Sequence, residues 1–289
     1  MLKLLACLFM AIDHVGHYYR EFLSPEAYMV LRMVGRLAFP IFARGIALGF
    51  ARTRSPFRYL LRMSVFAVAA QAIIGGAEFV AGLRSSPFAI GDPNGWTNIL
   101  FTFAFAILLL IGYELTVRSF RDMIMSLRTV PAPAGGPPAC HRFDVRVNFG
   151  GISLAPCIGI PVGVAMVAAA FALTALVEPD YSLYGLLAVL AFHLAQGLED
   201  PKAARRLEAV LFIGVTFMFY AGPLVDVLAG AHPPFAIVQL LSILALPLMW
   251  IPFREKRPGP WGKYFFYAFY PLHMAALALG LLLFPPPLP

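Results

Sequence analysis

LLACLFMAIDHVGHYY (residues 4–19) and YMVLRMVGRLAFPIFARGIALGF (residues 28–50) decide the fold. Both read as membrane-spanning helices at their apolar positions. Yet the first carries Asp13, His14 and His17, and the second carries Arg32, Arg36 and Arg44. An aspartate or arginine at the centre of such a helix costs at least about 2.5–3.5 kcal/mol on insertion scales. Charges persist there when they face one another or a wet cavity, so the pair of segments marks a functional site. On a helix, Asp13 and His17 are i,i+4, and so are Arg32 and Arg36. The two helices run antiparallel, which sets Asp13 and His14 at about the depth of Arg32 and Arg36.

The rest of the chain agrees with a membrane setting. Its 289 residues are 60% hydrophobic and only 13% charged, with a mean hydropathy of +0.78. A soluble domain is usually about a quarter charged. A spanning helix needs about 20 mostly apolar residues. Such runs fall at roughly 2–20, 26–50, 58–81, 97–117, 158–177, 183–199, 207–229, 235–253 and 263–284. The expected architecture is an all-α polytopic transmembrane helical bundle of about nine spans, forming a single domain over 1–284. The apolar N-terminus mimics a signal peptide. However, it continues into Asp13 and His14 with no small-residue cleavage site, so a retained helix is expected.

Loop charges orient the bundle. With the N-terminus in the cytoplasm, the inner segments hold 17 of the 22 Lys and Arg, and the outer loops hold Arg20 and Arg84. That split follows the positive-inside rule, so the net charge of +7 is no argument for nucleic-acid binding. The longest polar segment, 119–157, reads as a cytoplasmic loop. PAPAGGPPAC (131–140) has the composition of a flexible linker, and HRFDVRVNFGG (141–151) that of a short surface hairpin. Cys7, Cys140 and Cys157 show neither metal-ligand nor disulfide spacing. No metal is expected.

The remaining polar residues in apolar segments are the other candidates. Pro40 removes a backbone hydrogen bond and is expected to bend its helix. TRSPFRYLLRMSVFAVAAQ (53–71) places Arg54, Arg58 and Arg62 at i,i+4,i+8, a basic stripe suited to phosphates or to plain anchoring at the membrane edge. NILFT (98–102) offers Asn98 and Thr102, as substrate donors or as helix caps. DYSLYG (180–185) offers Asp180 as a cap, with Tyr181 beside it. His193 with Gln196 reads as cavity lining or as an ordinary polar contact. YFFYAFYPLHM (264–274) places Tyr270 and His273 inside the last span, where aromatic stripes usually serve packing.

Taken in order, IDHVG, GRLAFPIF, TR…YLLR…FA…Q, NILFT, DYSLYG and FYAFYPLHM resemble the TraX family over residues 2–275. That family is named for a conjugative-plasmid protein that acetylates F-pilin, and it is distantly similar to other transmembrane acyltransferases. Asp13, His14, Arg36, Phe39, Pro40, Arg62, Asn98 and His273 are the matched positions. The PAPAGGPP stretch is a departure with the look of an insertion, and DYSLYG departs in having Ser after the tyrosine. The resemblance implies a multi-pass N-acetyltransferase of the bacterial inner membrane that uses cytoplasmic acetyl-CoA.

The residues and the resemblance together set these expectations. His14, oriented by Asp13 or another contact, is the general base. Arg36 or Asn98 stabilises the oxyanion. Arg32, Arg44, Arg54, Arg58 and Arg62, with Tyr270 and His273, bind the donor. The acceptor is a protein amine such as a pilin N-terminus, or a glycan amine or hydroxyl, reached from the far side of the bilayer. The alternative is a proton-coupled transporter or anion-binding channel using the same His/Asp/Arg cluster. A scaffold for a surface assembly leaves the intramembrane charges without a role.

Overall fold

The computed structural model describes residues 1–83, 97–129, 147–231, 234–252 and 260–284. Arg84, Cys140, Arg142, Arg146, the PAPAGGPPAC linker, Arg254, Lys256 and Arg257 lie outside them. The described chain is all-α apart from one small hairpin. Its helices are α1 (Leu2–Tyr18), α2 (Pro25–Gly35), α3 (Ala38–Arg52), α4 (Pro56–Val80), α5 (Ile99–Thr129), α6 (Pro156–Val177), α7 (Ser182–Ala195), α8 (Pro201–Leu228), α9 (Ala245–Trp250) and α10 (Pro260–Leu283). Strands β1 (Val147–Phe149) and β2 (Ile152–Leu154) pair antiparallel between α5 and α6.

Among the described residues, five helical stretches are long and apolar enough to cross a membrane: 25–52, 56–80, 99–125, 156–177 and 201–228. Three shorter apolar helices accompany them. The apolar windows of α6 and α8 are only 17% and 11% buried. Val164, Leu176, Val210, Met218 and Val225 stand exposed on them. Apolar faces turned outward in this way require lipid as their solvent, because water would penalise them.

Helix starts follow local chemistry. Ser24 caps α2 by accepting from the Ala27 amide at 3.2 Å, ahead of Pro25. Asp200 caps α8 by accepting from the Lys202 and Ala203 amides, ahead of Pro201. Proline is tolerated at the first turn because its missing N–H would have no partner there anyway.

Two boundaries differ from the sequence expectation. The second span does not bend at Pro40. It breaks at Arg36–Leu37, and Pro40 sits in the first turn of α3, where no helical partner for its N–H is needed. The helix opening at Ile99 runs on to Thr129, past the expected polar boundary at 119. Arg, Met and Leu favour continued helix, and Glu114 pairs with Arg118 one turn apart at 2.8 Å. In addition, residues Pro234–Leu244 form a 3-10 helix leading into α9. Pro247 would clash with the carbonyl of Ile243 in a continuous α-helix, which explains the change of helix type there.

Close helix crossings rest on small residues. A Cβ on Gly35 would overlap the Asp13 side chain, and one on Gly16 would crowd Leu31 Cβ at 3.1 Å. These contacts fix α1 antiparallel to α2. Without a hydrophobic force between helices in lipid, such close backbone approach is a main source of association. Between α5 and α6, Gly112 and Gly163 face each other in the same way.

Candidate functional site

The site is assembled from α1, α2, α10 and the turn before α7. Its centre is a pair of imidazoles. His14 Nδ1 lies 2.7 Å from His273 Nε2, and the rings stack with centroids 4.9 Å apart. His273 Nδ1 lies 2.6 Å from the carbonyl oxygen of Phe269. A carbonyl only accepts, so His273 carries its hydrogen on Nδ1. Neutral His273 then offers Nε2 as an acceptor, and His14 donates its Nδ1 hydrogen to it. This assigns the free lone pair to His14 Nε2, the atom that would take a proton. Pro271, inside α10, leaves the carbonyl of Tyr267 without its usual partner one turn below the pair.

Asp13, next to His14 on α1, does not orient it. Its Oδ2 accepts from Arg32 Nη1 at 2.8 Å, and both side chains are nearly buried. Oδ1 of Asp13 has no hydrogen-bond partner among the described residues. Arg36 turns the other way and donates from Nη1 to the Tyr181 hydroxyl at 3.0 Å. Asp13 and Asp180 are both within electrostatic range of Arg36.

Tyr181 is held by an unusual turn. Glu178, Tyr181 and Ser182 have φ of 47°, 64° and 37°. Non-glycine residues in this region cost of order 1–3 kcal/mol each and persist where the surroundings over-determine them. Here Thr102 donates to the Asp180 carbonyl, the Asp180 amide donates to the Thr97 carbonyl, and the Tyr181 ring stacks on Phe39 at 4.1 Å. The phenol accepts from Arg36, which leaves its own hydrogen to give.

Other predicted residues lie elsewhere. Asn98 spends both amide hydrogens on Ala67 O and Gln71 Oε1, at 2.9 and 2.8 Å, and its Oδ1 caps the Leu100 amide. It ties α4 to the start of α5 and has no hydrogen left for a substrate oxygen. Arg44 pairs with the buried Glu208 of α8, whose other oxygen accepts from Trp250 Nε1 at 2.8 Å. Its charge is therefore neutralised within the bundle. Arg54, Arg58 and Arg62 do share a surface: they line one open cavity of about 600 Å³ with Ser55, Leu61, Val65 and Phe66. Phe66 stacks on Tyr267 of α10 at 4.3 Å. Tyr270 is buried beside His14, with ring centroids 6.1 Å apart, and His17 is exposed and edge-on to Tyr18.

Several partners were not legible beforehand. Glu208 and Glu114 sit in apolar runs, and single carboxylates there give no spacing signal. Tyr181 lay in a quoted motif, but only its turn geometry reveals that it meets Arg36. Tyr18 and Glu78 form a further buried pair at 2.5 Å.

Fold and site thus define an α-helical, membrane-type bundle with a hydrogen-bonded histidine pair beside buried Asp–Arg and Arg–Tyr contacts. The chain belongs to the TraX family, whose model, described as TraX protein, matches residues 1–281. It is also similar to the probable fimbrial assembly protein FimC, serogroup H1, of Dichelobacter nodosus. The two are 26% identical over 282 residues, which cover 96% of this chain and 92% of the relative. No solved structure matches the chain.

Proposed function

We propose that the protein is an acetyltransferase of the bacterial inner membrane. It moves an acetyl group from cytoplasmic acetyl-CoA to an acceptor amine or hydroxyl beyond the bilayer. A pilin N-terminus is the first acceptor to test, since the curated relative is named for fimbrial assembly. The observation that carries the reading is the directed chain Phe269 carbonyl, His273, His14, which leaves His14 Nε2 as a base.

In this reading the donor's phosphates meet Arg54, Arg58 and Arg62 at the open cavity. From Tyr267, which stacks on Phe66 of that cavity, to His273 is six residues, about 9 Å along α10. The donor's pantetheine arm spans that interval and brings the thioester to His14. The neutral acceptor amine attacks the thioester carbonyl and passes its proton to His14 Nε2. Arg36 and the Tyr181 hydroxyl stabilise the oxygen that becomes negative. The C–S bond breaks, and the leaving thiolate takes the proton back from His14. The Asp13–Arg32 pair fixes α1 against α2 and holds His14 in place.

Purified protein in lipid nanodiscs should gain thermal stability with CoA. His14→Ala should keep that gain and lose acetyl transfer by about 10²–10⁴-fold, the usual contribution of a general base, as read by a 42 Da mass shift on the acceptor. No stabilisation at millimolar CoA, together with proton or anion flux in proteoliposomes, would replace this reading with the transporter.

A further inference from the structure

A second cavity, of about 420 Å³, lies on the other side of Arg54. Its lining includes Tyr113, Glu114 and Arg118 of α5, His193 and Gln196 at the end of α7, and Phe149 of the hairpin. It shares Thr53 and Arg54 with the first cavity. The chemistry at His14 uses none of the α5 and α7 residues.

These residues are already organised. Glu114 accepts from His193 Nε2 at 2.9 Å and from Arg118 Nε at 2.8 Å. Arg118 also lies over the Phe149 ring at 5.1 Å, yet 45% of its side chain stays exposed. The rings of Phe50 and Tyr113 meet His193 edge-on, at 5.4 and 6.1 Å. The His193 side chain is only 10% exposed, and its Nδ1 is buried without a partner. A carboxylate only accepts, so Nε2 carries the hydrogen, and in the neutral ring Nδ1 is then a bare acceptor. A buried polar atom without a partner calls for one, and here the partner must be a donor. An inorganic phosphate or a phosphate headgroup would satisfy Arg54 and Arg118 and leave His193 and the aromatic wall unused. A purine with an exocyclic amine supplies both the donor and the flat face, and bases stack favourably on aromatic side chains.

We propose that this cavity is a nucleotide subsite: it takes the adenosine 3′,5′-bisphosphate end of the donor, and the neighbouring arginine stripe takes the phosphopantetheine. This rests on the acetyl-CoA reading. The test is calorimetry on the full chain in phosphatidylcholine nanodiscs, with CoA, adenosine 3′,5′-bisphosphate and 4′-phosphopantetheine as separate probes. Arg118→Gln, at a half-exposed position, and Tyr113→Leu should each weaken CoA and the bisphosphate by about 10-fold or more and leave phosphopantetheine unchanged. Arg62→Gln should do the reverse for phosphopantetheine. Bisphosphate binding equal in the wild type and both cavity variants overturns the subsite and leaves the acetyl-CoA reading intact. Displacement of the bisphosphate by equimolar inorganic phosphate also overturns it, since the cavity then holds only an anion. If none of the three probes binds the wild type, both proposals fall.

Discussion

At the scale of the residue, direction matters more than residue type. His14 acquires a defined free nitrogen because a backbone carbonyl fixes His273 first. His273→Ala should therefore lower acetyl transfer without abolishing donor binding, and should change the pH profile of the rate, because His14 is then free to flip tautomer. A profile identical to the wild type would remove His273 from the chain. Tyr181→Phe keeps the ring on Phe39 and deletes one donor, so a loss of about 10²-fold in kcat with little change in KM is expected. Asn98→Ala should behave in the opposite way. It strands Gln71 and a buried carbonyl, which costs about 1–3 kcal/mol of stability, while the rate per folded molecule holds. Thermal melts beside initial rates separate the two. The sequence placed Asn98 and Arg36 together as candidates because an amide and a guanidinium both suit an oxyanion. Only hydrogen-bond accounting shows that one is already committed.

Among the elements, α1 and α2 form the unit on which the site depends. Gly35 lets the helices close until Asp13 reaches Arg32. Gly35→Ala should push them apart, lowering stability by about 1–3 kcal/mol and activity more steeply, since His14 moves with α1. A variant that melts and transfers acetyl like the wild type would contradict this. A second unit joins α3, α8 and α9 through Arg44, Glu208 and Trp250. Arg44→Ala should lower stability by about 3–5 kcal/mol, because Glu208 is left as a buried lone charge, and the double change Arg44→Met with Glu208→Leu should restore much of it. Donor affinity should stay unchanged in the double variant. Antiparallel α1 and α2, and the shared depth of their charges, were readable from spacing alone. The pairing of Arg44 with a residue 164 positions away was not, since no periodicity links the two.

On the scale of the whole molecule, the proposed topology places the Arg54 cavities on the cytoplasmic side and the turn at 178–182 on the other. In a variant lacking Cys7, Cys140 and Cys157, a single cysteine at Leu198 should label with impermeant maleimide only from the cytoplasmic side. One at Phe22 should label only from outside. Both positions are exposed. Labelling of both from one side would overturn the orientation and the transmembrane direction of transfer with it.

Composition and run length alone determined that this chain is a helical bundle suited to lipid, because burying or exposing apolar residues in bulk depends on their number and order. Local spacing was enough to place Asp13 and His14 opposite Arg32 and Arg36, since helical geometry converts sequence offset into depth. Tertiary structure decided which charges are already spent and which remain. Arg32 is taken by Asp13, Arg44 by Glu208 and Asn98 by Gln71, while Arg36 is delivered to Tyr181 and His14 to His273. Those assignments depend on which helices pack together, and in lipid that choice rests on close-fitting small residues and buried polar pairs far apart in the chain.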